Sequence, residues 1–403
     1  MMTQYKFNRM EVAGSLGDLG TLLPMAIGMT MINGLNPMGI FLSVGLFYIL
    51  SGLYFKVTVP VQPMKVIGAY AIATGMSASQ ISASGFWVGC FLLIIGGTNA
   101  IKVIGKYVPK PVIRGVQLST GVLLMAQGVR FIIGTSKFQI LRQAVEPYLT
   151  VQNLGPLPVG IVIGIIGGLL TLLLLENKRL PAGLFIVSGG IFIGLVWGTH
   201  EGIYKAFNNL MGGLNLSEFF PFEFPTRADF TFALLALVLP QIPMTLGNAV
   251  IAYADLSKDY FDDKSKKVTY KSACISMALA NFMSFFLGGM PLCHGAGGLA
   301  AHYRFGARTA GSNMIIGSIF LILAVVFGSH LLSILYLIPM SVLGVLLLFA
   351  GSQLSMTIID IKNHKDLFVS LMMLGITLAS NLAAAFIVGI AIAYALKSNK
   401  LTV

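Results

Sequence analysis

Thr58-Val-Pro60-Val-Gln62-Pro63-Met-Lys65-Val-Ile-Gly-Ala-Tyr70 carries two prolines, a glutamine and a lysine between long apolar runs. Proline has no N–H to donate and holds the residue before it extended. The stretch is therefore expected to run extended to about Gln62 and turn helical there, with Pro63 in the first turn. A helix that starts at membrane depth leaves donors without partners, and such backbone survives only where it lines a cavity or is packed in protein. Its start is positive and donor-rich, which suits an anion. Lys65 adds a full charge in the first turn. A kinked helix with a snorkelling lysine would not need the neighbouring Pro-Val-Gln-Pro.

Outward from this stretch the whole chain reads as membrane protein. Of its 403 residues 56% are hydrophobic and only 10% charged, against roughly a quarter charged in soluble domains. The fold expected is all-α, with fourteen transmembrane segments. These include 11–32, a broken third segment at 58–76, an eighth at 230–253 and a broken tenth at 289–304. A polar connection at 200–229 is expected to link two halves and to hold a short surface helix. The net charge of +12 reflects topology rather than nucleic acid. With a cytoplasmic N-terminus, twenty Lys and Arg residues fall inside and five outside, with Lys65 alone at mid-depth. That is a strong positive-inside bias. Both termini are then cytoplasmic, in a multi-pass plasma (inner) membrane protein. The three cysteines, Cys90, Cys274 and Cys293, form no disulfide framework.

The chain repeats itself. Glu11, Ser15 and Asp18 recur 230 residues later as Gln241, Thr245 and Asn248, at the same i, i+4, i+7 spacing. That spacing puts each trio on one helix face. Pro109 pairs with Pro339 and Gly121 with Gly351 at the same offset, and Pro60 with Pro291 at 231. Seven segments per half make the halves inverted, as in secondary transporters with a mid-membrane site between discontinuous helices. The divisions expected are 1–205, a connecting segment 206–229, and 230–403. In the second half Gly288-Gly-Met-Pro291-Leu-Cys-His294-Gly-Ala-Gly-Gly298 mirrors the first broken segment. Its helix is expected to begin near His294 and to face the first helix start, with Gly295 and Gly297 admitting a ligand close to backbone N–H groups.

Four stretches together resemble the molybdate transporters related to the sulfate permeases. They are Gly14-Ser-Leu-Gly-Asp-Leu-Gly-Thr-Leu-Leu-Pro24, Pro60-Val-Gln-Pro-Met-Lys65, Gln241-Ile-Pro-Met-Thr-Leu-Gly-Asn-Ala-Val250 and Pro291-Leu-Cys-His-Gly-Ala-Gly-Gly298. The resemblance implies a seven-plus-seven inverted-repeat fold, shared with uracil permease, and import of molybdate. Carried over, the binding positions are Ser15, Asp18, Gln62, Lys65, Thr245, Asn248, His294, Gly295, Ala296 and Gly297. Sulfate permeases usually carry a soluble domain after the last helix, and none is expected after Val403. Molybdate is a tetrahedral dianion with acceptors only, so two helix starts, Lys65 and side-chain donors form a matching set. Sulfate matches equally on physical grounds.

Asp18 is awkward beside an anion, and is expected to pair with Lys65 in the empty site or to carry a coupling proton. Glu11 and Gln241 are read as gate or packing residues. Neither a metal site nor a cofactor is expected, since molybdenum would be bound only as its oxyanion. Tungstate and sulfate are the expected competitors, the lipid bilayer is a partner, and a homodimer is left open. Transport of sulfate or another oxyanion, an anion channel of the same fold, and a nucleobase permease are the alternatives. The permease ranks last because Asn248 and His294–Gly297 replace the expected carboxylates. No nucleophile elbow, Walker A or His-Glu-x-x-His motif supports an enzyme.

Overall fold

The structure is a computed structural model, which describes residues 5–98, 109–174, 177, 182–199, 224–328 and 335–397. Among them six helices are long and apolar enough to cross a membrane, and five apolar helices are shorter. The first half contains α1 (Arg9–Ser15), α2 (Leu19–Asn33), α3 (Pro37–Phe55), β1 (Gln62–Pro63), α4 (Lys65–Thr74), α5 (Ala78–Thr98) and α6 (Lys110–Ile133). After it come α7 (Lys137–Arg142), a hairpin of β2 (Asn153–Leu154) with β3 (Leu157–Pro158), α8 (Val159–Leu174) and α9 (Ala182–Trp197). The eighth segment runs through α10 (Arg227–Ala233), a π-turn at Leu234–Val238, α11 (Leu239–Met244), a π-helix at Thr245–Ala252 and α12 (Tyr253–Phe261). Then follow α13 (Tyr270–Phe286), β4 (Leu292–Cys293), α14 (Ala296–Phe305), α15 (Gly311–Phe327), α16 (Met340–Ser355), α17 (His364–Ala379) and α18 (Leu382–Ala395). Large apolar side chains such as Ile166, Leu173, Phe192 and Ile387 point outward, as a hydrocarbon solvent requires of a multi-pass membrane protein.

At the centre the two broken segments pair with each other. Gln62 lies opposite Cys293 and Pro63 opposite Leu292, antiparallel, and Met64 N donates to Pro291 O at 2.9 Å. The rest of the extended backbone is satisfied by two buried asparagines. Asn313 accepts from Val59 N and donates to Val59 O, both at 2.8 Å. Asn281 accepts from Leu292 N at 3.1 Å and donates to Leu292 O at 2.8 Å. Prolines at 60, 63 and 291 remove three donors that would otherwise need partners. The first helix therefore begins later than expected: Pro63 stays in β1, Met64 is the N-cap and Lys65 the first helical residue. The second begins at Ala296 behind the N-cap Gly295 rather than near His294.

Two further expectations need correction. The segment expected as one helix over 11–32 is interrupted at residues 16–18, so Glu11, Ser15 and Asp18 do not share one helix face. Of their mates, Gln241 and Thr245 still meet, Gln241 Nε2 donating to Thr245 Oγ1 at 2.9 Å, and the helix widens to π geometry from Thr245. Lys102, Lys106, Lys178, Arg179, Lys205, Lys400 and most of the connecting segment 206–229, with its expected surface helix, lie outside the described residues.

Around the centre, α6 and α16 cross at glycines. A Cβ on Gly121 would lie 2.6 Å from Gly351 O, and one on Gly351 2.6 Å from Gly121 O. Gly128 and Gly344 are placed in the same way. Close backbone approach of this kind holds helices together in lipid, where the hydrophobic effect gives no drive between them. The loop after α6 folds beneath α16. Glu146, fully buried, accepts from Met340 N and Ser341 N at 2.8 Å each, so its carboxylate caps that helix. Burial pushes the Glu146 carboxyl up to about 7 despite these bonds, which favour the ionised form.

Gly121→Val should push α6 from α16 and cost about 1–3 kcal/mol, whereas Gly97→Ala, with open space around it, should be near neutral; thermal melting of the purified variants measures both. Because the folded carboxyl of Glu146 holds its proton to about pH 7 while the unfolded one loses it near 4.5, the folded state binds more protons in that window. Stability should then fall as pH rises from about 4.5 to 7. Glu146→Gln should flatten the slope of melting temperature against pH, and an unchanged slope would remove Glu146 as its source.

Candidate functional site

Two adjoining cavities meet at the start of α4. One of about 350 Å³ is lined by Asp18, Thr21, Gln62, Lys65 and Gly297, and reaches Arg304 and Phe305 at the far end of α14. The other, about 220 Å³, shares Thr21, Lys65 and Gly297 and adds Gln117, Asn248 and Thr357. Both include Gln353 of α16, so the walls come from both halves of the chain. Beyond its first turn α4 is buried in protein. Ile67, Ala69 and Ala71 are fully buried, and a Cβ on Gly68 would run into the Met25 and Met29 methyls.

The two helix starts are not equivalent. Gln241 Oε1 accepts from Val66 N at 3.0 Å and Ile67 N at 3.2 Å, while its Nε2 donates to Thr245 Oγ1 at 2.9 Å. A side chain from the other half thus fills the first turn of α4. Among the described residues no side chain accepts a hydrogen bond from the first turn of α14, although Asp18 and Gln62 lie against Gly298, and its first N–H groups have no partner within the helix. Gly297, exposed in the cavity, belongs to that open turn. A Cβ there would lie 4.0 Å from Lys65 Nζ. The ammonium of one broken helix therefore stands beside the uncapped start of the other, giving a charge and a set of backbone donors in one place. Glycine at 297 lets a ligand approach the backbone.

Asp18 is 3% exposed; its Oδ1 accepts from Gln62 Nε2 at 2.7 Å, and its Oδ2 has no partner. Gln62 Oε1 also has none. Among the described residues no carboxylate lies within the 4.0 Å ion-pair distance of Lys65 Nζ, so the expected Asp18–Lys65 pair is replaced by the bond from Gln62 to Asp18.

Of the residues singled out in the sequence, Asp18, Gln62, Lys65, Asn248 and Gly297 come together at the cavities. The others serve the frame. Ser15 Oγ donates to its own helix at Val12 O, 2.8 Å away. Thr245 is held by Gln241. Gly295 is an N-cap beside Gln62, and Ala296 opens α14 without lining either cavity. His294 does not turn towards Lys65: Nδ1 meets Pro60 O at 2.9 Å, Nε2 meets Ser276 Oγ at 3.0 Å, and the ring packs against Phe47 and Tyr253. Glu11 accepts from Arg308 N and Thr309 N, joining α1 to the loop before α15. Thr21, Gln117 and Gln353 were not singled out; glutamines inside two apolar spans, Gln117 and Gln127 in α6 and Gln353 in α16, were the signal available.

A mostly helical membrane protein with two broken segments crossing at its centre has a fold already seen in solved structures. The structure superposes on the transmembrane domain of a cyanobacterial bicarbonate transporter, BicA, with a TM-score of 0.65 at 15% identity, over 96% of this chain and 98% of that one. Against the murine anion transporter Slc26a9 in its inward-facing state the TM-score is 0.67 at 15% identity, over 98% of this chain and 70% of the other. In sequence, residues 10–124 and 233–354 match the family described as molybdate transporter of the MFS superfamily. Molybdate transporter 2 of Arabidopsis thaliana is 30% identical, over 93% of this chain and 84% of that protein. Molybdate transporter 1 of Chlamydomonas reinhardtii is 30% identical over 94% and 90%. The chain belongs to the molybdate transporter family.

If Gln241 holds the first turn of α4, Gln241→Leu should cost about 1–2 kcal/mol of stability, the cost of a lost cap, with Gln241→Glu retaining most of it. Denaturant titration of both variants tests this, and equal losses would show that packing rather than capping is at stake.

Proposed function

We propose that this protein imports molybdate across the plasma membrane as a secondary active transporter, holding the dianion between Lys65 Nζ and the open start of α14. The carrying observation is the placement of Gly297 beside Lys65 in a member of the molybdate transporter family. The relatives supply the ion; the geometry supplies the place. Asn248 adds a side-chain donor from the π-helix. Two inverted repeats of seven segments, 1–205 and 230–403 joined by 206–229, form the frame of this reading. The antiparallel contact of repeat mates at Gln62/Cys293 and Gly121/Gly351 supports it. Both termini then face the cytoplasm, and so does the cavity mouth at Arg304.

The bundle of α1, α2, α4, α14 and the eighth segment moves against a scaffold of α6, α8, α9 and α16–α18, giving alternating access. Asp18, with one buried oxygen unpartnered, is placed to take a proton and couple uptake to pH. Tungstate competes with molybdate at this site.

Lys65→Ala should weaken molybdate binding by at least about 100-fold, roughly 2.7 kcal/mol, and Lys65→Arg less, because the guanidinium differs in shape. Calorimetry on purified variants measures both, and near-normal affinity in Lys65→Ala would sink the site. Asp18→Asn should bind but flatten the pH profile of uptake into vesicles; an unaltered profile would remove Asp18 from coupling and leave the anion site standing. Uracil competing as well as tungstate would overturn the oxyanion assignment.

A further inference from the structure

A groove of about 660 Å³ runs between α3 and α13 on the outside of the molecule, away from the Lys65 cavities. Its walls are apolar, from Leu50, Tyr54, Ile275, Leu279 and Met283. Leu50, Tyr54 and Leu279 are each about half exposed, at 55%, 53% and 60%. From Thr269 to Met283 it follows α13 for roughly 20 Å at 1.5 Å per residue, more than the ~15 Å of hydrocarbon in one leaflet. Only the end at the start of α13 is charged. Lys271 lines it, and Lys267 Nζ stands 5.2 Å from the centre of the Tyr54 ring. No acidic residue is among those lining the groove. The nearby carboxylates are engaged elsewhere, Asp255 by the Tyr270 hydroxyl at 2.8 Å and Asp263 by Lys266 at 3.2 Å.

We propose that this groove is a binding site for one anionic phospholipid, with an acyl chain along Ile275, Leu279 and Met283 and the headgroup phosphate between Lys267 and Lys271. A single-chain apolar trough ending in two ammonium groups matches a lipid anion in both length and charge. The zwitterionic lipid has the same chains without net charge, so the lysines confer the preference. The orientation given under the proposed function puts these lysines in the cytoplasmic leaflet, where anionic lipids concentrate. The site itself needs only the groove and its charged end. Its inner wall includes Ser276, whose hydroxyl meets His294 Nε2, so the lipid lies one hydrogen bond from the backbone of the broken segments.

The full-length protein with its two native tryptophans, Trp87 and Trp197, replaced by phenylalanine and carrying Leu279→Trp is reconstituted into phosphatidylcholine vesicles with one tenth phosphatidylglycerol, one lipid or the other brominated on its chains. Brominated phosphatidylglycerol should quench the added tryptophan far beyond its share, indicating a preference of roughly tenfold or more, since each lysine near the surface favours the anion. Lys267→Gln/Lys271→Gln in the same background should return quenching to the level of the mole fraction. Native mass spectrometry of the chain without the tryptophan should show one phosphatidylglycerol retained, and lost in the double variant. Quenching in proportion to mole fraction, or retention unaffected by the double variant, would overturn the proposal. So would protection from both brominated lipids in a dimer-sized particle, because a second copy of the chain would then fill the groove. Each readout is independent of molybdate, so failure here leaves the transport reading untouched.

Discussion

Everything at the centre of this protein depends on a short antiparallel backbone pairing in the middle of a membrane. Extended chain at that depth has no water to turn to. Here β1 and β4 supply part of one another's needs, and Asn313 and Asn281 each clamp both backbone groups of one residue, Val59 and Leu292. Three prolines lower the demand. Once this crossing is fixed, the direction of α4 and α14, the position of their first turns and the reach of Lys65 follow from it.

From an almost symmetric frame comes an unsymmetric site. Gln241 and Glu11 are repeat mates, yet Gln241 seals α4 while Glu11 ties down the loop ahead of α15. One helix start is consumed by the protein and the other is left open. An open start with a lysine beside it and a start filled by Gln241 make the centre unsymmetric. The buried Asp18 beside it keeps the region from being simply positive and leaves one oxygen without a partner.

Much of this was written in the chain. The prolines at 60, 63 and 291 and the constant offset of 230 announced two broken segments in related halves, and Lys65 stood out because a charge at mid-depth needs a reason. Register and winding were not legible. Nothing in Thr245–Ala252 announces a π-helix. His294 looked like a ligand residue because its neighbours are, but a ring that finds Pro60 O, Ser276 and two aromatic faces is worth more as a fixed strut. Gln117 and Gln353 enter the cavities only through the crossing of α6 and α16, a contact that local pattern does not encode. Glu146 lies in a loop whose docking under α16 is likewise long-range.

The same crossing bears on how the molecule is made. β1 and β4 are separated by about 230 residues, so the first broken segment leaves the ribosome long before its partner exists. Until Leu292 and Asn313 arrive, β1 lacks its partner strand and Val59 lacks Asn313, although Val61 O can already accept from the Tyr48 hydroxyl. Contacts so distant in sequence close late, and a chain waiting with bare backbone is exposed to misassembly. Chains stalled or truncated before Leu292 would hold β1 without the strand that pairs with it.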